Sequence, residues 1–423
     1  MTAPRELLLA LFHGAIEAAR PGLRVAAQLP PPPAGRTIVI GAGKASAEMA
    51  EAVEAARGDS VIGTVAIPAG VDARCRHIEC MVAGHPVPDE RSVAAAERIR
   101  QQLADAGPDD QVIALISGGG SALLCDPVPG LSLADKQVLT EKLLRSGANI
   151  RAINCVRQAL SQSKGGRLAR LAAPAPMHTL LVSDIPGDDP ALIASGPTVA
   201  SPFAPGDAEV VLARHDIPVP DALRKARAVD PPPGIEELAG RCRHTILCSA
   251  MTSLRAAAER VREQGYQPLI LGDALEGEAR AMAEVHAGIA RSVAAHGEPV
   301  AAPAVLLSGG EATVTIRHEA GRGGRNTEFC LALARALDGH AGIHALAGDT
   351  DGIDGHGGHA GALIDPTTLE RARTEGLDAH RALVDHDSAT YFETLGDLID
   401  TGPTATNVND FRAILITPKT THP

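Results

Sequence analysis

The chain contains no tryptophan, two tyrosines and five phenylalanines in 423 residues. So few rings cannot build a core of this size. Alanine, valine, leucine and isoleucine must do it, which suits buried parallel strands covered by alanine-rich helices. Positive charge is also short: 39 Lys and Arg stand against 51 Asp and Glu, a formal net charge of −12. That balance argues against nucleic acid or an anionic membrane surface as a partner, because either needs a basic face. An anionic small molecule stays compatible if positive charge is gathered locally. No run of 18 apolar residues occurs, so no membrane span is expected. The seven cysteines are scattered and form no Cys-x-x-Cys pair. A disulfide framework is therefore not expected, and a reducing cytoplasm is the expected compartment. The opening stretch MTAPRELLLALFHGAIEAAR is apolar for only a few residues, and Leu7, Leu8, Leu11 and Ile16 are spaced as on an amphipathic helix rather than in a signal peptide.

What is present points to an α/β protein. A chain of this length predicts two domains. A helix over 1–20 precedes the stiff connector LPPPPAG. A strand over 37–40 runs into GAGKAS, and ASAEMAEAVEAA reads as a helix. Strands over 61–67, 111–117 and 178–183 alternate with the helix PDERSVAAAERIRQQLADA and a helical region over 132–172 interrupted near SGANI. That alternation predicts a parallel sheet. Residues 201–240 are rich in proline and charge, which places the boundary between a Rossmann-like domain over 1–240 and a smaller α/β domain over 241–423, whose final segment is expected to pack back on the first. In the second half, HTILCSA, YQPLILG and AVLLSGG read as strands, and MTSLRAAAERVREQG and 275–297 as helices. ALISGGGSALL (114–124) and AVLLSGGEATV (304–314) echo one another, so two strands are expected to deliver Ser-Gly-Gly turns.

Several motifs carry chemistry. GAGKAS (41–46) lacks the first glycine of a triphosphate loop, since that position is Ile38. As a dinucleotide fingerprint it has Ser46 where Gly or Ala is needed, and the second strand ends VAIPAG with no carboxylate. Two readings remain: backbone N–H groups and Lys44 facing an anion at a helix start, or a tight turn with a surface lysine. In LLVSDIPGDDPALIASGPT, Asp184, Asp188 and Asp189 follow a buried strand, where carboxylates hold Mg²⁺ or take a proton from a hydroxyl; a solvated acidic turn is the other reading. In EAGRGGRNTEFCLA, Arg322 and Arg325 flank glycines at a predicted helix start and would clamp an anion, or form an exposed basic turn. INCVRQALSQSKGGRLA, with Arg157, Lys164 and Arg167, reads as an ordinary basic helix with a Gly-Gly end. AGDTDGIDGHGGHAG lacks the spacing of a calcium loop, and His356 and His359 sit among glycines that preorganise a metal poorly. Cys75, His77 and Cys80 lack the second half of a zinc site.

Taken together, GAGKAS, GHPVPDERS, LISGGGSALL, INCVRQALSQSKGGRLA, VSDIPGDDPALIASGPT, LSGGEATVTI, GRGGRNTEF, GDTDGIDG and TGPTATNVNDF resemble the class II glycerate 2-kinases, the MOFRL family, from about residue 6 to residue 417. The resemblance implies a larger Rossmann-like domain with a parallel sheet and a smaller α/β domain enclosing a cleft. It implies phosphorylation of the 2-hydroxyl of D-glycerate by ATP with Mg²⁺, giving 2-phospho-D-glycerate, in a monomer or homodimer. The alternative is an NAD(P)H-dependent hydroxypyruvate reductase, a label members of the family carry. The implied catalytic residues are Lys44, Asp184 and Arg322, with Arg325 the other candidate for the arginine. The implied substrate- or phosphate-binding residues are Gly41, Gly43, Ser46, Ser117, Gly118, Gly119, Gly120, Ser121, Arg157, Ser308, Gly309, Gly310, Glu311, Arg325 and Asn326, and the implied Mg²⁺ ligands are Asp184, Asp188 and Asp189. After DGIDG the family has a Pro-Thr-Asp type of stretch, whereas this chain has HGGHAG, which leaves the loop tip without an assigned role.

Overall fold

The structure, a computed structural model, describes residues 3–316, 319–356 and 358–418. The first two residues of the expected N-terminal helix, and Gly357 of the HGGHAG tip, lie outside the described residues. By contacts the chain divides into two compact units, one of Pro21–Ser183 with Asp188–Leu247, the other of Met1–Arg20, Asp184–Gly187 and Cys248–Pro423. Among the described residues no helix is long and apolar enough to cross a membrane.

The first unit is built on β1 (Thr37–Ala42), β2 (Val61–Pro68), β3 (Ile78–Ala83), β4 (Gln111–Ile116), β5 (Met177–Val182) and β6 (Cys242–Cys248), in the order β3-β2-β1-β4-β5-β6. Strands β3 through β5 pair in parallel. Apolar runs without alternation form the centre, and β1 and β5 are buried at every position, as expected for strands covered on both faces. The edge strand β3 is buried only at its two ends, Ile78 and Ala83, and is partly or fully exposed between them. The helix Glu90–Ala104 starts where Asp89 accepts from the N–H groups of Arg91 and Ser92 and the Ser92 hydroxyl turns back to the Asp89 N–H. Such a reciprocal cap satisfies N–H groups that the helix itself cannot. The Rossmann-like parallel sheet expected from the sequence is thus present. Its strand order turns back between β1 and β4, and in open sheets of this kind ligands bind outside the carboxyl ends of the strands at that switch point.

The second unit carries β7 (Gln267–Glu278), β8 (Ala304–Thr313), β9 (Ile343–Asp349), β10 (Gly361–Ile364), β11 (Leu398–Ile399) and β12 (Asp410–Ile416), in the order β11-β10-β9-β12-β8-β7. Only β7 and β8 run parallel among the pairs of this sheet; β12 lies antiparallel between β8 and β9, and β10 and β11 continue antiparallel. The sheet is therefore mixed. β8 also continues past Ser308-Gly309-Gly310 to Thr313, pairing with β7 as far as Glu278. The second Ser-Gly-Gly is an internal stretch of strand, not the turn that its likeness to 117–119 suggested.

The helix Pro4–Ala18 belongs to this second unit because its apolar stripe needs a partner there. Leu7, Leu8, Leu11, Phe12 and Ala15 are buried with residues of the helix Ala250–Glu263 and of β9 and β12. The Phe12 ring lies 5.9 Å from that of Phe411. Gly348 leaves room for it, since a Cβ there would stand 2.8 Å from Phe12 Cζ. The Ser253 hydroxyl donates to the Ala15 carbonyl at 2.7 Å. On the opposite face the sheet is covered by the helices Ala279–His296 and Arg325–Leu337. With so few rings in the chain, each carries much of the local packing. Phe12→Ala is expected to destabilise the second unit by about 3–5 kcal/mol, seen in denaturant titration as a lower midpoint.

Candidate active site

In the first unit the loops after β1 and β4 are stitched into one surface. Gly43 has φ 146°, and a Cβ there would lie 2.0 Å from Ser117 Oγ; at Gly41 it would lie 2.4 Å from the Leu115 carbonyl oxygen. Only glycine lets the two turns approach this closely. Across the contact Lys44 N–H donates to the Gly118 carbonyl at 2.9 Å, Ala45 N–H to Ser117 Oγ at 3.0 Å, and Ser117 N–H to the Ala42 carbonyl at 3.1 Å. Ser46 Oγ donates to the Leu115 carbonyl at 3.0 Å. Ser46 and Ser117 are fully buried, so their hydroxyls hold the turns together and face inward. Lys44, half-buried at the start of the helix Ser46–Arg57, keeps its side chain at the turn. Gly119 has φ 81°, and a Cβ there would meet the His85 ring at 2.9 Å and Lys44 Cγ at 3.5 Å. Lys44, Gly119 and His85 thus converge. His85 lies in GHPVPDERS, where a single histidine beside a proline carries no pattern.

Ser121 is tied into a chain of hydroxyls. Its Oγ lies 2.7 Å from Ser195 Oγ, which donates to Asn154 Oδ1 at 2.7 Å. Ala194 and Ser195 have φ of 50° and 63°. Left-handed backbone at two non-glycine residues in a row is strained, and it persists only where surroundings fix it. Here Gly165 and Gly166 donate to the Ser195 and Gly196 carbonyls at 3.2 and 2.8 Å. In the acidic loop, Asp189 Oδ1 accepts the Ala191 N–H at 3.0 Å, so that carboxylate caps its own turn; Asp188 has φ 54°. Asp184 lies two residues past the end of β5, half-buried, and its carbonyl accepts from Asn409 Nδ2.

The second unit assembles a different centre. β12 is antiparallel to both neighbours, so its first residue, Asp410, stands in register with Gly310 near the end of β8 and with Asp349 at the end of β9. Arg325 opens the helix Arg325–Leu337 beside these ends. It donates from Nε to Asp410, from Nη1 to Glu311 and from Nη2 to Asp349, each at 2.7 Å. Asp354 caps the same helix from outside, accepting the N–H groups of Asn326 and Thr327 at 2.9 and 2.8 Å, where a carboxylate suits the helix dipole. Arg412, buried, donates to Asp410 and to the Gly309 carbonyl and lies over the Phe329 ring at 5.3 Å. Ser308 Oγ is 3.0 Å from His286 Nε2, whose Nδ1 is engaged by the Met282 carbonyl. Gly310 has φ 111°, and a Cβ there would stand 2.2 Å from the Leu275 carbonyl oxygen.

Burial pushes the Asp349 carboxyl well above the ordinary range, with Arg325 only partly opposing it. Burial likewise raises Asp354 against its N–H donors. For Asp410 the upward push of burial is outweighed by Arg412 and Arg325, and its pKa falls. For Arg325 burial acts downward, and the three carboxylates more than reverse it. Asp349 is therefore the member of this centre that most readily holds a proton, and Asp410 the one that stays ionised.

These positions sort the sequence expectations. Arg325 is already enclosed by carboxylates, Arg322 is half-exposed and paired with Glu393 at 2.6 Å, and Asp354 fills the helix start. The GRGGR stretch is thus not an open anion clamp but the cationic part of an acidic network. Asp349 and Asp354 belong to the stretch that lacks the spacing of a calcium loop, Asp410 lies next to the end of TGPTATNVNDF without a motif of its own, and Arg412 gives no sequence signal; the fold brings all four together. Arg157 is half-buried, whereas Lys164 and Arg167 are buried, so the basic-helix reading is wrong for those two. Among the described residues no group of three His, Cys, Asp or Glu side chains is arranged to hold a metal. His359 is buried with neither ring nitrogen hydrogen-bonded, and His356 is exposed.

Residues 7–227 match the DUF4147 family, described as a domain of unknown function, and residues 304–410 match the MOFRL family. The chain is 52% identical over 97% of its length to 94% of an Agrobacterium vitis protein that carries a hydroxypyruvate reductase name. It is 37% identical over 91% of its length to 88% of a glycerate 2-kinase from Pyrococcus horikoshii. A solved glycerate kinase from Thermotoga maritima superimposes with a TM-score of 0.89 at 34% identity, covering 97% of this chain and 99% of that one.

Arg325→Met is expected to leave three carboxylates without their shared cation and to destabilise the second unit by about 3–5 kcal/mol. Losing the guanidinium removes part of what holds Asp410 ionised and the one opposition from a cation to the burial of Asp349. The deficit relative to the native chain should be largest near neutral pH and shrink as acid protonates these groups, in urea titrations across pH.

Proposed function

The chain belongs to the DUF4147 and MOFRL family that includes the glycerate kinases, and from that premise we propose that it transfers the terminal phosphoryl group of ATP to the 2-hydroxyl of D-glycerate, giving 2-phospho-D-glycerate. Likeness to glycerate kinases along nearly the whole chain, in sequence and in fold, carries the reading. Physical support comes from the turn at the switch point of the parallel sheet, where a lysine, glycine backbone and a helix start come together. A reductase would need a dinucleotide site there. β2 ends at Pro68 with no carboxylate to take a ribose hydroxyl, and Ser46 occupies a fingerprint glycine position with its side chain buried against β4.

Phosphoryl transfer depends on positioning and charge neutralisation more than on covalent chemistry. Lys44 is assigned to charge on the transferring group, with the backbone of Gly118, Gly119 and Gly120 beside it. Asp184 is assigned to the 2-hydroxyl, taking its proton or orienting it. Of the two arginines, Arg325 is the better candidate for a functional role, because Arg322 is exposed and ion-paired at the surface. Mg²⁺ would be held by Asp184 with Asp188. Mg²⁺ in such enzymes takes one or two carboxylates and completes its shell with phosphate oxygens and water. Asp189 is the weaker ligand, with one oxygen spent on its own turn. Bound there, the ion would neutralise phosphate charge. The proposed setting is the cytoplasm, with a small-molecule acceptor and a nucleotide as the partners.

Purified protein with D-glycerate, ATP and Mg²⁺ should release ADP and form 2-phosphoglycerate rather than the 3-isomer, and should leave NADH unchanged with hydroxypyruvate. NADH oxidation without ADP release would reverse the assignment. Lys44→Ala should lower kcat by about 100-fold or more, roughly 3 kcal/mol of barrier, while the thermal transition stays near that of the native chain. Near-native turnover would return GAGKAS to a purely structural role.

A further inference from the structure

Beyond the strand-end turn, the first unit hides a concentration of positive charge that the mechanism above does not use. The segment Leu124–Asp126 follows the Ser117–Ser121 turn and the short helix Gly120–Leu123. Two lysines close on it from different elements. Lys164, fully buried, donates from Nζ to the Leu124 carbonyl at 2.6 Å. Lys136, on the helix Leu133–Arg145, is 5% exposed, and its Nζ is enclosed near the Cys125 thiol and Asp126 without a hydrogen-bond partner. Arg157, on the helix Ile150–Ala159, stands close enough to both lysines to be felt electrostatically. It is half-buried and makes no hydrogen bond or ion pair within the described residues.

The carboxylate felt by both lysines, that of Asp126, is a poor counterion. Asp126 is shared with Arg100 at 3.3 Å and with Gln162 Nε2 at 3.0 Å, and burial drives its carboxyl toward the neutral form. Burial pushes both ammonium groups down, and the neighbouring cations, Arg157 for Lys136 and both Lys136 and Arg157 for Lys164, add to that push. An enclosed cation without a partner is costly. In a chain with a net charge of −12, gathering three cations, of which Lys136 and Arg157 have no hydrogen-bond or ion-pair partner among the described residues, is the arrangement that an incoming anion would complete.

We propose that Lys136, Lys164 and Arg157 form a buried oxyanion subsite that receives a carboxylate or phosphate group, with Arg157 as its solvent-facing side. Resting on the kinase reading, the group is either the carboxylate of D-glycerate or a phosphate of the nucleotide. The chemistry is the same: planar or tetrahedral oxygens taking charge-assisted hydrogen bonds from two ammoniums and a guanidinium.

The test uses the full chain and Lys136→Met, which keeps volume and removes the charge. Arg157→Gln, at a partly exposed position with no protein partner, guards against a folding artefact. Thermal unfolding is followed with millimolar inorganic phosphate, D-glycerate or ATP, against chloride at equal ionic strength. The native chain should be stabilised by phosphate, since a ligand that binds only the folded state raises its transition. Lys136→Met should unfold at the same or a higher temperature without ligand, because an unpaired buried charge is gone, and should lose the phosphate-induced shift. Its KM for one substrate should rise about tenfold or more, the range for a lost charge-assisted hydrogen bond, with Arg157→Gln raising the same constant. A change in the glycerate KM identifies the carboxylate, and a change in the ATP KM the phosphate. If both variants keep the phosphate-induced shift and both KM values, or if the native chain shows no shift, the subsite is refuted. If no kinase activity is found but the shift is present and is lost in Lys136→Met, the subsite stands and the kinase reading falls.

Discussion

The hydroxyl of Ser117 occupies the space where any side chain at position 43 would begin, and much of the first unit follows from that contact. Because residue 43 is glycine, the loops after β1 and β4 can touch backbone to backbone. Because they touch, Lys44 and Ala45 find their hydrogen-bond partners across the switch point rather than in water. The helix behind them then starts at a fixed place, and Lys44 with it. A flexible lysine on a mobile loop would pay conformational entropy each time it met a charged group; one anchored at its backbone pays less.

The two units treat charge in opposite ways. In the second, carboxylates from β8, β9, β12 and the 350–360 loop gather round Arg325 and Arg412, so acid outnumbers base and the strand ends are locked by ion pairs. In the first, the enclosed excess is positive, with Lys136 unpartnered. Neither is predictable from the overall net charge, which averages over a surface that is mostly acidic. What composition fixes is total charge; what sets local chemistry is which strand ends and helix faces meet.

The parallel sheet could be read from the sequence because its central strands are buried on both faces and appear as unbroken apolar runs. Edge strand β3 could not, since Glu79, Cys80, Met81 and Val82 are all at least partly exposed and the stretch reads as scattered cysteines and charge. β9 and β12 lie late in the chain among glycine- and aspartate-rich loops, and β10 and β11 are too short for any periodicity. Residues 201–240, read as a proline-rich junction, contain the helices Asp207–Arg214 and Asp221–Val229. At the site, GAGKAS was legible because glycine, lysine and a helix start are adjacent in sequence. The partners of Arg325 were not, because Glu311, Asp349 and Asp410 lie 14, 24 and 85 residues away. From sequence one sees two arginines and infers an anion; only the fold reveals that the chain's own carboxylates are already there. Lys136 gave no signal at all, sitting once on a helix face that looks polar.

The placement of Phe12 has a consequence in time rather than in space. The helix Pro4–Ala18 packs on residues near Leu254 and Phe411, so its apolar stripe is synthesised about 240 residues before its first partner and about 400 before its last. At roughly 5–20 residues per second on the ribosome, that is a wait of some tens of seconds. Throughout it, the first unit can assemble in full while this helix has nothing native to bury against. Nascent chains of this protein therefore expose Leu7, Leu8, Leu11 and Phe12 for most of their synthesis, the kind of surface that chaperones at the exit tunnel exist to cover.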